Sequence, residues 1–127
     1  CGWKGTADRM AEHIVRQMER AYGSNPEDLI AAIGPSIGKC CFQVDDPVVN
    51  LFRKQIAFAD DIIFEDPTEE GKYKIDLWET NRRLMADCGV KNIEIAGLCT
   101  MCDTQRFYSH RKMGEKRGVM AGVMTLI

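Results

Sequence analysis

The first residues of the chain combine two glycines, a lysine and a threonine in a spacing that could bind an anion. Gly2-x-x-Gly5-Thr6 stands directly before a predicted helix, with Lys4 between the two glycines. A closely turning backbone, a cation and a hydroxyl group near the positive end of a helix dipole can hold phosphate or a carboxylate. The spacing is not that of a Walker A motif. A tight turn packed by Trp3 explains the pattern equally well, so both interpretations stay open.

A second candidate lies near the end of the chain, where basic residues are most concentrated. His110 and Arg111 follow a predicted strand, a place where loop residues of sheet proteins often meet ligands. The imidazole of His110 could act as a general acid or base, or it could be a plain surface histidine. For Lys112, Lys116 and Arg117 we favour a solvated surface.

Six cysteines raise the question of disulfides, redox chemistry and metal binding. Cys40 and Cys41 are adjacent, and the apolar content is high enough for a core without disulfides, which favours reduced thiols and a cytoplasmic protein. Cys99 and Cys102 have the C-x-x-C spacing of redox pairs and of half a zinc site. No second C-x-x-C and no histidine pair accompanies them. We therefore favour a packed or incidental pair, and the sequence assigns no metal ligand within the chain.

Composition limits the classes of partner. The 127 residues include 17 Lys and Arg against 19 Asp and Glu, and 45% are hydrophobic, as expected of one globular domain that can form its own core. No apolar run approaches the roughly 20 residues of a membrane-spanning helix. No basic stripe typical of nucleic-acid binders is present. We therefore expect neither a membrane nor a nucleic acid as a partner, and the oligomeric state stays unknown.

The predicted elements place the candidate residues around a sheet. Helices are predicted over 7–22, from 47 to the closing pair Asp60-Asp61, and over 77–88, with N-caps at Thr6, Asp46 and Asp76 and stops at Gly23 and Gly89. Strands are predicted over 29–33, 41–44, 62–64, 73–75, 90–98, 106–109 and 119–127. The strand over 29–33 is expected to be buried. The segment over 119–127 would also suit a helix. The order predicts an α/β (α+β) single domain with a mixed β-sheet flanked by helices.

Four motifs follow one another along the chain. They are Cys1-Gly2-Trp3-Lys4-Gly5-Thr6, Gly34-Pro35-Ser36-Ile37-Gly38-Lys39-Cys40-Cys41-Phe42-Gln43-Val44, Asp76-Leu77-Trp78-Glu79-Thr80-Asn81, and Cys99-Thr100 with Phe107-Tyr108-Ser109-His110-Arg111-Lys112. In type and order they resemble the laccase-domain family, also called the polyphenol oxidase or purine nucleoside phosphorylase family. The resemblance covers essentially the whole chain.

The resemblance implies a metal-dependent purine nucleoside phosphorylase that cleaves adenosine, inosine and methylthioadenosine with phosphate and also deaminates adenosine. Its partners would be a purine nucleoside and phosphate. It implies zinc or copper held by two histidines and a cysteine upstream of Cys1, so that residues 1–127 resemble the C-terminal part of such an enzyme and are expected to be inactive alone.

The resemblance also suggests which residues contact the substrate, although it leaves the catalytic residues unknown. Lys4, which stands where the family motif has arginine, and Arg111 are the candidates for substrate or phosphate binding. Lysine keeps the positive charge of arginine but loses its bidentate geometry. Two alternatives stay open: a copper-dependent polyphenol oxidase, which needs several histidine ligands where this chain has two, and a non-catalytic interaction module.

Overall fold

Two small sheets, one parallel and one antiparallel, organise the computed structural model, which describes residues 1–127. The strands are β1 (Ile30–Ile33), β2 (Gln43–Val44), β3 (Ile63–Glu65), β4 (Tyr73–Ile75) and β5 (Asn92–Ile95). The helices are α1 (Trp3–Ala7), α2 (Met10–Tyr22), α3 (Asp46–Gln55), α4 (Ala59–Ile62), α5 (Leu77–Asp87) and α6 (His110–Met113), with 3-10 turns at Pro26–Asp28 and Gly114–Lys116. None of the helices combines the length and the apolar character needed to cross a membrane.

The pairing of the strands confirms the predicted fold class. β1 and β5 are parallel, with Ile30 opposite Asn92, and β2, β4 and β3 form an antiparallel sheet in that order. The domain therefore has helices with both parallel and antiparallel strands, and the two kinds of pairing lie in separate sheets. Because β1 and β5 run in the same direction, the loops that follow them leave the sheet at the same edge.

The main core lies between the antiparallel sheet and helices α1, α3, α4 and α5. Its apolar residues recur at helical spacing in α3 and α5, which turns one face of each helix toward the sheet. Eleven buried residues form this core: Ala7, Phe42, Val44, Val49, Phe52, Ile56, Ala59, Ile62, Ile75, Leu77 and Leu84. Asp76 caps α5 as predicted, because its Oδ1 accepts a hydrogen bond from the backbone N–H of Glu79 at 3.0 Å.

A smaller core joins α2 and α5 to the parallel strands. Only Val15, Cys88 and Val90 are buried in it. The prediction that the strand over 29–33 is buried is wrong, because its residues alternate between exposed and half-buried and Ile30 is 63% exposed. The strand exists, but helices cover only part of it.

The predicted helix over 7–22 is wrong at its N-terminal end. The chain forms α1 and then α2, separated at Arg9, whose φ of 59° lies in the left-handed region. Thr6 is therefore not an N-cap; it lies inside α1, where it is fully buried. The stop at Gly23 is confirmed, since this glycine ends α2 with a φ of 65°.

Three other predicted elements differ from the structure. Helix α3 ends at Gln55, because Ile56 is extended, and Asp60-Asp61 lie inside the separate helix α4. The predicted strand over 106–109 is wrong: the segment is a turn in which Asp103 accepts the backbone N–H groups of Arg106 and Phe107. Residues 119–127 form neither of the two elements considered, and no sheet partner faces them.

Candidate functional site

An open cleft of about 860 Å³ lies beside the parallel strands. This volume falls within the roughly 300–1,000 Å³ typical of small-molecule sites. Helices α2 and α5, strand β1, the N-terminal residues and the segment around α6 form its walls. Most of the lining is apolar, and the polar or charged lining side chains are Ser36, Asn81, Thr100, Ser109, His110, Arg111 and Arg117.

The N-terminal motif contributes an aromatic wall rather than a loop in front of a helix. Trp3 lines the cleft, and the Nζ of Lys4 lies 5.7 Å from the centre of its ring. Lys4 itself is exposed and stands outside the cleft lining. The hydroxyl of Thr6 donates to the carbonyl of Gly2 at 3.1 Å. The sequence interpretation placed this hydroxyl at a helix start, but the structure uses it to hold α1 together.

Asn81 lines the cleft and carries an unused acceptor. Its Nδ2 donates to Thr6 Oγ1 at 3.0 Å and to the carbonyl of Leu77 at 2.9 Å, which occupies both amide hydrogens. Its Oδ1 is buried and has no hydrogen-bond partner. A buried acceptor without a donor costs roughly 1–3 kcal/mol, so a ligand that donates a hydrogen bond to Oδ1 would recover that free energy. In the sequence, Asn81 is distinguished only as part of a motif.

Arg111 is held in place with part of its guanidinium free. The N-cap Ser109 accepts a bond from the backbone of Lys112 and starts α6, which brings Arg111 and His110 to the cleft wall. One nitrogen, Nη1, donates to the carbonyl of Gln43 at 2.8 Å, and the guanidinium carbon lies 5.3 Å from the centre of the Phe42 ring. Arg111 forms no ion pair. Its remaining N–H groups can therefore receive an anion.

Four cysteines meet at the edge where the loops after β1 and β5 leave the parallel sheet. The sulfur atoms of Cys40, Cys41, Cys99 and Cys102 all lie within 4.8 Å of one another. The prediction of a packed or incidental pair at Cys99 and Cys102 did not include the two further cysteines that join them. A signal for it was present: each cysteine pair follows one of two strands, and parallel pairing of those strands brings the following loops together.

The thiols of this cysteine cluster differ in their acidity. Burial alone would raise the pKa of Cys99, but backbone N–H groups of Gly38, Cys102 and Met101 outweigh it and lower that pKa to about 6. Gly38 donates to Cys99 Sγ at 3.3 Å. Burial, followed by hydrogen bonding to Cys102, raises the pKa of Cys40 and of Cys41. The cluster therefore favours a thiolate at Cys99 beside neutral thiols at Cys40 and Cys41.

The metal set that the resemblance implies, two histidines and a cysteine, does not fit the residues of this chain. His110 and Cys1 line the cleft, whereas His13 lies on the exposed face of α2, outside the cleft. One histidine and one cysteine fall short of the three protein ligands of a catalytic zinc. The single group of side chains in the structure arranged to hold a metal is the cysteine cluster.

Comparison with known proteins gives consistent matches. A family model described as multi-copper polyphenol oxidoreductase laccase matches residues 1–127. The chain is 40% identical over 121 residues to purine nucleoside phosphorylase YlmD of Bacillus subtilis, covering 94% of this chain and 43% of that protein. It is 38% identical over 119 residues to adenosine deaminase RL5 of an unknown prokaryotic organism, covering 92% of this chain and 45% of that protein.

A solved structure shows the same fold. The crystal structure of the Bacillus licheniformis hypothetical protein YfiH matches with a TM-score of 0.80 and 42% sequence identity, over 88% of this chain and 42% of that chain. The chain thus spans somewhat less than half the length of the relatives it matches.

Proposed function

The chain belongs to the multi-copper polyphenol oxidoreductase laccase family, as its four motifs predicted, and on that premise we propose that it forms the C-terminal part of a purine nucleoside phosphorylase. The proposed enzyme cleaves adenosine, inosine and methylthioadenosine with phosphate and also deaminates adenosine. Relatives named purine nucleoside phosphorylase and adenosine deaminase support this activity. Because the chain spans less than half of those relatives, the activity is proposed for the polypeptide that contains residues 1–127.

The observation that carries the proposal is the set of side chains that the cleft brings together from separate motifs. Trp3 provides a flat apolar surface, Asn81 an unpaired buried acceptor, and Arg111 a cation with free N–H groups. A purine nucleoside presents a flat aromatic base and polar N–H and O–H groups. Phosphate requires cations and hydrogen-bond donors. The cleft offers a matching surface for each of these needs.

Each side chain has a role in phosphorolysis. Arg111 holds the phosphate through the N–H groups that its bond to Gln43 leaves free, so that an oxygen faces the sugar carbon where positive charge develops. Asn81 Oδ1 accepts a hydrogen bond from the nucleoside. His110 begins α6 beside Arg111, and its imidazole can transfer a proton to the departing base.

Lys4 belongs to the edge of this site. Its ammonium group lies 5.7 Å from the centre of the Trp3 ring and has no ion-pair partner, and the residue is exposed. At that position it attracts an incoming phosphate and leaves the close contacts to Arg111. A lysine suits this role, because it acts as a compact point charge and needs no bidentate geometry.

None of the roles described above involves the metal of the proposed enzyme. Zinc or copper, when bound by the whole protein, would supply an activated water for deamination. The residues of this chain offer no matching histidine set, so the roles above are those of its own side chains. We also propose a cytoplasmic location, in which the six cysteines of this chain would stay reduced.

The experiment is a kinetic comparison in the natural polypeptide that contains this chain. Arg111→Ala should raise KM for phosphate about tenfold or more in inosine cleavage, because a charged hydrogen-bond partner is lost. Arg53→Ala is the matched control, since Arg53 pairs with Asp60 on the surface outside the cleft. An unchanged KM for phosphate in Arg111→Ala would remove this residue from the phosphate site.

A second candidate, polyphenol oxidation with copper, is favoured by the description of the matching family model. Oxygen uptake with a phenolic substrate, in proportion to bound copper, would support it. We favour phosphorolysis, because the relatives named above are nucleoside enzymes and because the cleft combines an anion-binding cation with an unpaired acceptor.

A further inference from the structure

We propose that Cys40, Cys41, Cys99 and Cys102 bind one zinc ion as a structural site, separate from the catalytic chemistry of the proposed enzyme. Four protein sulfurs complete a tetrahedral zinc shell and leave no open position for substrate. This site extends beyond the nucleoside activity and does not depend on it.

The distances between the sulfurs fit a zinc tetrathiolate. Cys102 Sγ lies 3.6 Å from Cys40 Sγ and 3.5 Å from Cys41 Sγ. With Zn–S bonds of about 2.3 Å, tetrahedral geometry places neighbouring sulfurs about 3.8 Å apart. A disulfide would require roughly 2.05 Å. Two of the six sulfur pairs therefore have nearly this spacing, all six lie within 4.8 Å, and none is a disulfide.

The backbone already holds the two loops in register for such a site. Ser36 N–H donates to the carbonyl of Leu98 at 3.2 Å, and Thr100 N–H donates to the carbonyl of Ser36 at 3.1 Å. This short parallel bridge continues the pairing of β1 with β5 beyond the strands. A zinc ion bound beyond the bridge would fix both loops at their ends.

The surroundings of the cysteine cluster resemble the outer shell of a metal site. The N–H of Gly38 donates to Cys99 Sγ, which stabilises the thiolate form that binds metal. Gly38 can approach so closely because glycine has no Cβ. A Cβ at this position would lie 2.9 Å from the Trp78 ring and 3.3 Å from Cys40 Sγ. Zinc binding would displace the protons from the thiols of the cluster.

The location gives the site a structural task. The same two loops carry Ser36 and Thr100 into the lining of the cleft, and Ser36 Oγ accepts a hydrogen bond from Trp78 Nε1 at 2.7 Å. Zinc would therefore hold one wall of the cleft without contacting the nucleoside.

Metal analysis of the full chain, purified under reducing conditions, tests the proposal. We expect the double variant Cys99→Ser/Cys102→Ser to contain one zinc equivalent per chain less than the unmodified protein. Cys88→Ala is the control, because Cys88 lies in the smaller core and outside the cysteine cluster, and it should retain all its zinc. Cobalt substituted for zinc should show the sulfur-to-cobalt charge-transfer absorption of a tetrathiolate, and this absorption should be absent from the double variant.

A thiol assay keeps the test decisive if the double variant fails to fold. In the unmodified native protein, a chelator should make four additional cysteines reactive toward an alkylating reagent, and added zinc should protect them again. Equal reactivity with and without zinc, together with no zinc in the purified chain, would overturn the proposal. So would iron or copper bound in place of zinc, or a disulfide between Cys102 and Cys40 or Cys41 in the reduced preparation.

Discussion

The antiparallel and parallel halves of the molecule differ sharply in how well they are packed. Helices cover the antiparallel sheet, and eleven residues are buried there. The parallel pair β1–β5 has only three buried residues beside it, and Ile30 and Ile95 on its two strands are exposed. Yet the cleft and the cysteine cluster both lie on the parallel side. The well-packed half therefore supplies stability, while the open half supplies the binding surfaces.

The largest expected loss of stability comes from truncating a buried side chain in the packed half. Phe52→Ala should lower the free energy of unfolding by about 3–5 kcal/mol, because it removes a fully buried ring from the main core. Ile30→Ala is its counterpart in the open half and should cost no more than about 0.5 kcal/mol, because that side chain already faces water. Urea denaturation of both variants measures the difference. Equal losses would contradict the contrast between the halves.

A smaller effect is expected where the two halves meet. Gly38→Ala would place a Cβ 2.9 Å from the Trp78 ring, on the helix that packs against both cores. Such overpacking should cost about 1–3 kcal/mol. Because the new Cβ would also lie 3.3 Å from Cys40 Sγ, the backbone and this sulfur must shift, and the variant should bind zinc more weakly than the unmodified chain. Thermal unfolding with and without zinc measures both effects, and a variant as stable as its parent would contradict the close approach.

The smallest effect concerns pH and belongs to the packed half. Hydrogen bonding to Arg82 lowers the pKa of Glu79 from 4.5 to about 2, although burial partly opposes it, and Arg83 assists. Since the folded pKa is depressed, the stabilisation is present above about pH 4.5 and is lost as the pH falls toward 2.

Glu79→Gln should therefore lower the free energy of unfolding by about 0.5–1 kcal/mol at neutral pH, a modest amount because the ion pairs are partly exposed. The difference between the two proteins should shrink as the pH falls toward 2. Denaturation at several pH values checks this, and a constant difference would argue against the ion pairs as its cause.

Local signals predicted single elements and their ends better than contacts between distant parts of the chain. The cap at Asp76, the helix over 77–88, the glycine stops at Gly23 and Gly89 and the paired strands β3 and β4 depend on neighbouring residues, and the structure confirms them. The break at Arg9 was missed, because the sequence there carries no glycine or asparagine to indicate a left-handed residue.

The candidate site was only partly predictable, because its groups come from distant parts of the chain. Cys41 and Cys102 lie 61 residues apart and meet only through the parallel pairing of β1 with β5. The unpaired acceptor of Asn81 depends on the hydroxyl of Thr6, 75 residues away. Residue types and motifs indicated Lys4, His110 and Arg111, and their assignment to phosphate and nucleoside stays a prediction.

The most direct test of the central claim is the release of hypoxanthine from inosine by the natural polypeptide that contains residues 1–127, measured with and without phosphate. We predict that release requires phosphate and that a sugar phosphate forms in equal amount. Release at the same rate without phosphate, or no release from a folded, metal-loaded protein that instead consumes oxygen with a phenolic substrate, would contradict the proposed function.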